Sequence, residues 1–376
     1  MTYLQLAAVG PCSPDFTRVA EGLDEHLSCA AAPAVASVRS PLDLVNWTLP
    51  VVELLMVAGA VAALVHAVLW WRRRGDPTNL ALWAATLVYL ALLEPPLYFP
   101  DRFGLQDQVG LIFVHNLFSV QFLWDRLPLY IVAVYPALTY LAYAVVQRTG
   151  LLDRRGPVVG AASVALVFHL CYEVFDQIGP RLRWWAWNPD APSNAPWVAD
   201  VPLTSAVIFA AASPFGMALL TRLLVARRAA RGPVPPASMA LRVVGVAALT
   251  PLAMIVAAAP SGALPESAQT ARAVVLWAEL ALLAAVAGPA LARALTAGER
   301  PAPDGFLGRY PVVAGAVYLA VFAVLWAAAL PSWLDASAGR AGGALAYAAV
   351  CTVAGGAVLW MLWTASRARA GEDAVR

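Results

Sequence analysis

His169, Glu173 and Asp176 stand at i, i+4 and i+7 on the apolar stretch GAASVALVFHLCYEVFDQ, so on a helix all three share one face. Ionisable groups in an otherwise apolar segment cost about 2.5–3.5 kcal/mol each on membrane-insertion scales, and such placements are by default functional hypotheses. Further polar groups recur near the ends of neighbouring apolar stretches: Glu94 before Pro95 and Pro96, His115 with Asn116, Asp125 with Arg126, and Arg181 with Arg183. Tyr98, Tyr130, Tyr135 and Tyr172 and the cluster Trp184, Trp185, Trp187 accompany them. Carboxylic acids among aromatics suit one chemistry well. An acid kept neutral by an apolar site protonates an olefin, aromatic faces stabilise the cation, and a second carboxylate removes a proton or orients water. On this reading Asp176, Glu94, Glu173, His169 and Asp125 are the candidate catalytic groups. His115, Asn116, Tyr98, Tyr130, Tyr172, Trp184, Trp185, Trp187 and Arg181 are the candidate substrate contacts.

Other readings of the same residues are weighed beside this one. His115, His169, Glu173 and Asp176 could bind a metal, but no H-x-x-H-H cluster is present, and the expectation is no metal and no cofactor. Asp125–Arg126 could be an ion pair at a helix start. Glu94 could bond backbone freed by the two prolines. Arg181 and Arg183 could snorkel to head groups, and the tryptophans could form an interfacial belt. Glu53, His66 and Glu279 read as polar links between helices.

The elements that must position these groups follow from composition. The chain has 376 residues, 61% hydrophobic and 13% charged, against about 25% charged in a soluble domain. Apolar runs of about 20 residues recur along it, which predicts an all-α, polytopic transmembrane helical bundle. The expected spans are near 48–71, 80–99, 127–146, 158–178, 203–224, 239–259, 271–292, 312–330 and 345–364. The arginines Arg72–Arg74, Arg227, Arg228, Arg293, Arg300, Arg309, Arg367 and Arg369 fall at alternate ends, which places the N-terminus outside and the C-terminus inside. Residues 105–124 are apolar but broken by Gly110, His115, Asn116, Ser119 and Gln121; the expectation there is one re-entrant or interfacial helix on the outer side. A short amphipathic helix is expected over about 16–28.

This gives an extracytoplasmic segment (1–45), a functional transmembrane half (46–226), an Ala/Val/Leu-rich transmembrane half (237–366) and a cytoplasmic tail (367–376). Cys171 and Cys351 read as buried small hydrophobes, while Cys12 and Cys29 could pair if their segment lies outside. No basic n-region precedes an apolar core, so no cleavable signal peptide is expected. The net charge of +2 and the lack of any basic block beyond three residues give no reason to expect a nucleic-acid partner. The expected partners are the lipid bilayer and an apolar, lipid-like substrate, with a homo-oligomer possible, in the cell membrane of a bacterium (its inner membrane).

The motif FDQIGPRLRWWAWN, followed by a Pro/Asn-rich loop and VPLTS, resembles the integral-membrane carotenoid hydratases and, more distantly, the membrane lycopene cyclases. Asp176, Pro180, Trp185, Trp187 and Pro202 hold the matching positions. Glu94, Pro95 and Tyr98 resemble the family's upstream acidic helix end, and LPLYIVAVYP its next helix. The resemblance covers about 80–224; the cyclases' Pro-x-Glu-Glu pairs are absent, and the last four spans lie outside it. It implies a cofactor-free acid–base enzyme of isoprenoid or carotenoid type, a hydratase (lyase) or cyclase, with Asp176 or Glu94 as the acid. The rival expectations are a proton-coupled transporter or permease using the same acids as a relay and a non-catalytic membrane assembly subunit. The chain contains no P-loop and no G-x-G-x-x-G.

Overall fold

The structure is a computed structural model that describes residues 12–27, 32–297, 305–334 and 341–373. In chain order its helices are α1 (Pro14–Leu23), α2 (Thr48–Arg74), α3 (Thr78–Tyr98), α4 (Leu105–Val109), α5 (Leu129–Thr149), α6 (Leu151–Arg154), α7 (Gly156–Asp176), α8 (Leu203–Ala229), α9 (Pro236–Gly262), α10 (Gln269–Ala297), α11 (Phe306–Leu334) and α12 (Ala341–Asp373). Among the described residues, nine of these, α2, α3, α5 and α7 to α12, are long and apolar enough to cross a membrane. The protein is thus a polytopic helical bundle, and the span boundaries read from hydropathy agree with it closely.

Central position follows from burial. The apolar stretches of α5 and α7 are 83% and 72% buried, against 22–39% for α2, α3 and α9 to α12, so α5 and α7 form the axis around which the others pack. The two halves are not separate bodies, because one continuous core joins residues of α2 to α7 with residues of α9 to α12. Two polar links fix helix pairs inside that core. His66 on α2 lies 2.7 Å from the Tyr140 hydroxyl on α5 and 3.1 Å from the Leu307 carbonyl on α11. The Asn79 amide on α3 donates to Tyr140 and to Gln147. His66 is therefore an interhelical link, as its sequence setting predicts.

The segments joining the spans at one end of the bundle build a cap of short strands. They are β1 (Ala36–Val38), β2 (Phe113–His115), β3 (Val120–Phe122), β4 (Leu127–Pro128), β5 (Trp185–Trp187), β6 (Trp197–Val198) and β7 (Val201–Pro202). The pairings are antiparallel: β1 with β3, β3 with β4, β2 with β5, and β6 with β7. Open sheet edges cannot face hydrocarbon, so such strands belong at the end of a bundle.

This cap corrects one expectation. Residues 105–124 form no re-entrant or interfacial helix beyond the five residues of α4. Gly104 and Gly110, both at positive φ, bracket that turn, and strands β2 and β3 follow. The polar residues that looked like interruptions bond loop backbone instead. Asn116 donates its side-chain amide to the Arg183 carbonyl (2.7 Å), and Gln121 donates to the carbonyls of Asn116 (3.0 Å) and Asp125 (2.8 Å). The N-terminal helix ends at Leu23, earlier than expected. It buries Phe16, Val19, Ala20 and Leu23 against Ile112 and Val114 of the cap. Cys12 is disulfide-bonded; Cys29, its expected partner, lies outside the described residues. Cys171 and Cys351 are buried and free.

The cap is tied to the bundle by Glu53 on α2, whose carboxylate accepts from the backbone amides of Ser119 (3.1 Å) and Val120 (3.2 Å). Hydrogen bonds to a charged group contribute about 1.5–3 kcal/mol each. We therefore expect Glu53→Ala to lower the unfolding temperature and to speed amide exchange at Ser119 and Val120 while the spans stay protected. Unchanged exchange at those two amides would contradict this role.

Candidate active site: an aromatic chamber under the cap

Helices α3, α5, α7 and α8 enclose a chamber directly beneath strands β2 and β5. Its walls are Glu94, Leu97 and Tyr98 from α3; Ile131, Val134, Tyr135 and Thr139 from α5; Phe168, Tyr172, Phe175 and Asp176 from α7; and Ser205, Phe209, Ser213, Pro214 and Met217 from α8. Leu111, Phe113, His115, Trp185 and Trp187 form the roof. The chamber measures about 890 Å³, counting its mouth. Aromatic rings and aliphatic side chains make up most of its lining, so the space is a slot suited to an apolar guest.

Two carboxyl groups from different helices reach this slot. Glu94, in the last turn of α3, accepts a hydrogen bond from the Tyr135 hydroxyl. Asp176 ends α7, is 2% exposed, and its Oδ2 has no hydrogen-bond partner among the described residues. The indole Nε1 atoms of Trp185 and Trp187 are likewise buried and unpartnered among those residues. Buried polar atoms are normally satisfied, so each exception asks for an explanation. Here three of them border one chamber, which is the arrangement expected where a small polar molecule or a polar group of a guest is received. The roof itself is closely packed: Phe113 lies 4.3 Å from Trp187 and Phe175 4.9 Å from Trp185, ring centre to ring centre.

His115 occupies the roof between two tyrosines. Its Nε2 is 2.7 Å from the Tyr98 hydroxyl and its Nδ1 2.9 Å from the Tyr130 hydroxyl. A neutral imidazole carries one N–H, so it donates to one tyrosine and accepts from the other. Burial pushes the His115 pKa down from 6.5 to about 3, against a smaller opposing contribution from backbone at Trp184. The native state therefore refuses a proton that the unfolded chain accepts below pH 6.5. This contribution to stability is complete above pH 6.5 and falls by about 1.4 kcal/mol per pH unit as pH drops from 6.5 toward 3. Thermal unfolding in detergent between about pH 7 and pH 4 should show this slope in the wild type and a shallower one in His115→Gln. Equal slopes would contradict it.

The other sequence candidates are placed as follows. Tyr98, Tyr172, Trp185 and Trp187 line the chamber. Tyr130 does not, but holds His115. Of the triplet on α7, only Asp176 reaches the chamber. The chamber stripe on that helix is Phe168, Tyr172 and Phe175, and His169 and Glu173 lie on the adjoining stripe. His169 Nε2 meets the Tyr347 hydroxyl of α12 at 2.5 Å, and Glu173 accepts from Gln177 (2.9 Å). The shared helical face is real, but it turns away from the chamber everywhere except at its last residue. Asp125 is also outside, ion-paired to Arg39 and bonded to Ser37 in the cap; its expected pairing with Arg126 is replaced by these contacts. Arg126 lies between the rings of Phe16 (4.5 Å) and Phe99 (4.6 Å). Asn116 closes a loop turn, and Trp184 is core, its indole donating to Thr48 Oγ1 at 2.9 Å. Arg181 pairs with Asp200 and stacks 4.6 Å from the Trp333 ring.

Phe113, Phe168, Phe175, Phe209, Ser205 and Ser213 also line the chamber, and sequence reasoning does not single them out. The phenylalanines sit among apolar neighbours and look like ordinary core. Ser205 and Ser213 carry no signal beyond their position on one span. Among the described residues no group of three or more His, Cys, Asp or Glu is arranged to hold a metal.

The fold and the chamber define a polytopic helical membrane protein with a carboxylate-bearing aromatic site. A family model described as a domain of unknown function (DUF7802) matches residues 54–229. That stretch contains every residue lining the chamber and stops before the last four spans. No curated protein and no solved structure matches the chain.

Proposed function

We propose that the protein is an intramembrane enzyme that protonates an apolar polyene, of isoprenoid or carotenoid type, and completes the reaction by hydration or cyclisation. The observation that carries this reading is the meeting of Glu94 from α3 and Asp176 from α7 on the wall of one aromatic slot. The guest is apolar because the walls are aromatic and aliphatic. The first step transfers the proton of one neutral carboxylic acid to a terminal carbon of a C=C bond, leaving a tertiary cation on its neighbour and a carboxylate on the enzyme. Faces of Tyr98, Tyr172, Phe175, Trp185 and Trp187 surround that cation, and cation–π attraction in a dry site reaches about 2 kcal/mol per ring. In hydration, water adds to the cation and the second carboxyl group takes the released proton, so the net change is addition of one water. In cyclisation, a neighbouring double bond attacks the cation and the second carboxylate removes a ring-adjacent proton, so the net change is isomerisation.

Either outcome leaves one acid emptied and the other filled, and the proton must return. Tyr98 neighbours Glu94, Tyr130 is an electrostatic neighbour of Asp176, and His115 joins the two tyrosines. In this reading that chain resets the pair: the tyrosine beside the filled acid gives its hydroxyl proton to the bare imidazole nitrogen and takes the acid's proton, while the other nitrogen gives its proton to the second tyrosine, whose own hydroxyl proton passes to the emptied acid.

The arginine clusters Arg72–Arg74 and Arg227–Arg228, with Arg293 and Arg309, lie at span ends away from the strand cap. By the positive-inside rule the cap then faces outward and the C-terminus inward. The chamber sits in the outer half of a cell membrane. Expression in a host that accumulates linear polyenes, with its lipids profiled by mass spectrometry, tests the assignment. A new hydroxylated or cyclised lipid is expected. An unchanged lipid profile across hosts making linear polyenes of several lengths, with the protein folded in the membrane, would contradict it.

A further inference from the structure

A second and larger space lies on the opposite flank, between α2 and α11, with α5 as its floor. It measures about 1240 Å³, against about 890 Å³ for the chamber. Gly59 on α2 makes it deep: a Cβ there would stand only 3.2 Å from the Ala137 Cβ on α5, so the two backbones approach closely. Along α11 the lining runs from Gly305 to Tyr318, a length of roughly 20 Å at about 1.5 Å per residue. That is a slot for an extended hydrocarbon chain.

Among the described residues, Arg309 is the only charged group lining this groove, and no acid faces it. It is exposed and has no ion-pair partner among those residues. It also lies in the first turn of α11, where the helix dipole favours an anion. Its depth is set by the 3.1 Å contact of His66 with the Leu307 carbonyl. His66 precedes Arg72 by less than two turns on α2, which puts it roughly 9 Å to the membrane side of that arginine. A cation at that depth either snorkels outward or meets an anion. Basic pockets between spans on the cytoplasmic side are where anionic head groups are held.

We infer that this groove is a binding site for an anionic phospholipid, with one acyl chain laid between α2 and α11 and the phosphate on Arg309. The site is independent of the chemistry in the chamber.

The test uses the purified full-length protein in neutral detergent, with thermal unfolding and retained lipid read in parallel. Phosphatidylglycerol should raise the unfolding temperature more than phosphatidylcholine and should be the lipid retained in native mass spectrometry. Arg309→Gln, a surface change, should cut the preference for phosphatidylglycerol about five-fold, and Arg309→Lys should keep most of it. Ala314→Leu, which fills the slot, should release both lipids; should it fail to fold, the Arg309 pair still decides the matter. Equal effects of the two lipids on the wild type, or an undiminished preference in Arg309→Gln, would overturn the assignment.

Discussion

Glu94→Gln and Asp176→Asn should each reduce product formation by about 10²- to 10⁴-fold, the range in which positioned acids and bases contribute. Both variants keep side-chain volume and a hydrogen-bonding oxygen. In Glu94→Gln the amide oxygen can still accept from Tyr135, the bond that seats Glu94 in the wild type, so accumulation and unfolding temperature should change little. What is lost is the transferable proton. The double variant should be scarcely worse than either single one, because groups acting in one proton cycle are not additive. Glu173→Gln serves as the control. Glu173 is as deeply buried as Asp176 and lies one turn before it, but it bonds Gln177 and does not line the chamber. Activity in Glu173→Gln should remain within a few-fold of wild type. A loss there equal to that of Asp176→Asn would mean that the stripe along α7, not the chamber, is the site.

The second large effect is steric. A Cβ on Gly179 would fall 2.0, 2.2 and 2.4 Å from three ring atoms of Trp185. The atoms it meets belong to a rigid indole that is 2% exposed and packed on Phe175, so no flexible end can swing aside. Overpacking usually costs about 1–3 kcal/mol, and here the displaced group is part of the chamber roof. Gly179→Ala should therefore lower the unfolding temperature, alter tryptophan fluorescence and abolish activity. Gly179→Ala combined with Trp185→Phe should recover part of the stability, because the smaller ring leaves room for the methyl. An unchanged unfolding temperature in Gly179→Ala would contradict the packing described.

Much of this is legible in the sequence. Nine apolar runs with arginines at alternate ends predict nine spans, and among the described residues nine helices are long and apolar enough to cross a membrane, because hydrocarbon thickness and the cost of burying charge leave few alternatives. Glu94, Asp176, Tyr98, Tyr172, Trp185 and Trp187 are identifiable as acids and aromatics near span ends of one sidedness, and the fold brings these to a single slot. The failures have local causes. Residues 105–124 are apolar enough for a membrane helix, but glycines at positive φ and side chains that bond loop backbone make them a strand cap. The periodicity of His169, Glu173 and Asp176 shows that they share a face; it does not show which neighbour that face meets, and for two of them it is α12 or the end of their own helix. Asp125 and Arg181 find partners at Arg39 and Asp200, which sequence spacing does not reveal. Ser205, Phe209 and Ser213 stand at i, i+4 and i+8 on α8, across a wider turn at Ile208–Ala212. Their spacing groups them on one stripe, but their residue types do not show which neighbour that stripe meets.

Transfer of a solvent-derived proton to carbon is the step on which the whole account rests, and isotope labelling reads it directly. Membranes containing the wild-type protein, supplied with a linear polyene in deuterium oxide, should yield a hydrated product bearing one non-exchangeable deuterium on carbon; a cyclised product carries it in proportion to the solvent exchange of the proton returned between the two acids. Membranes containing Asp176→Asn or Glu94→Gln should yield almost none. A hydrated lipid that carries no carbon-bound deuterium would contradict acid catalysis by the Glu94–Asp176 pair.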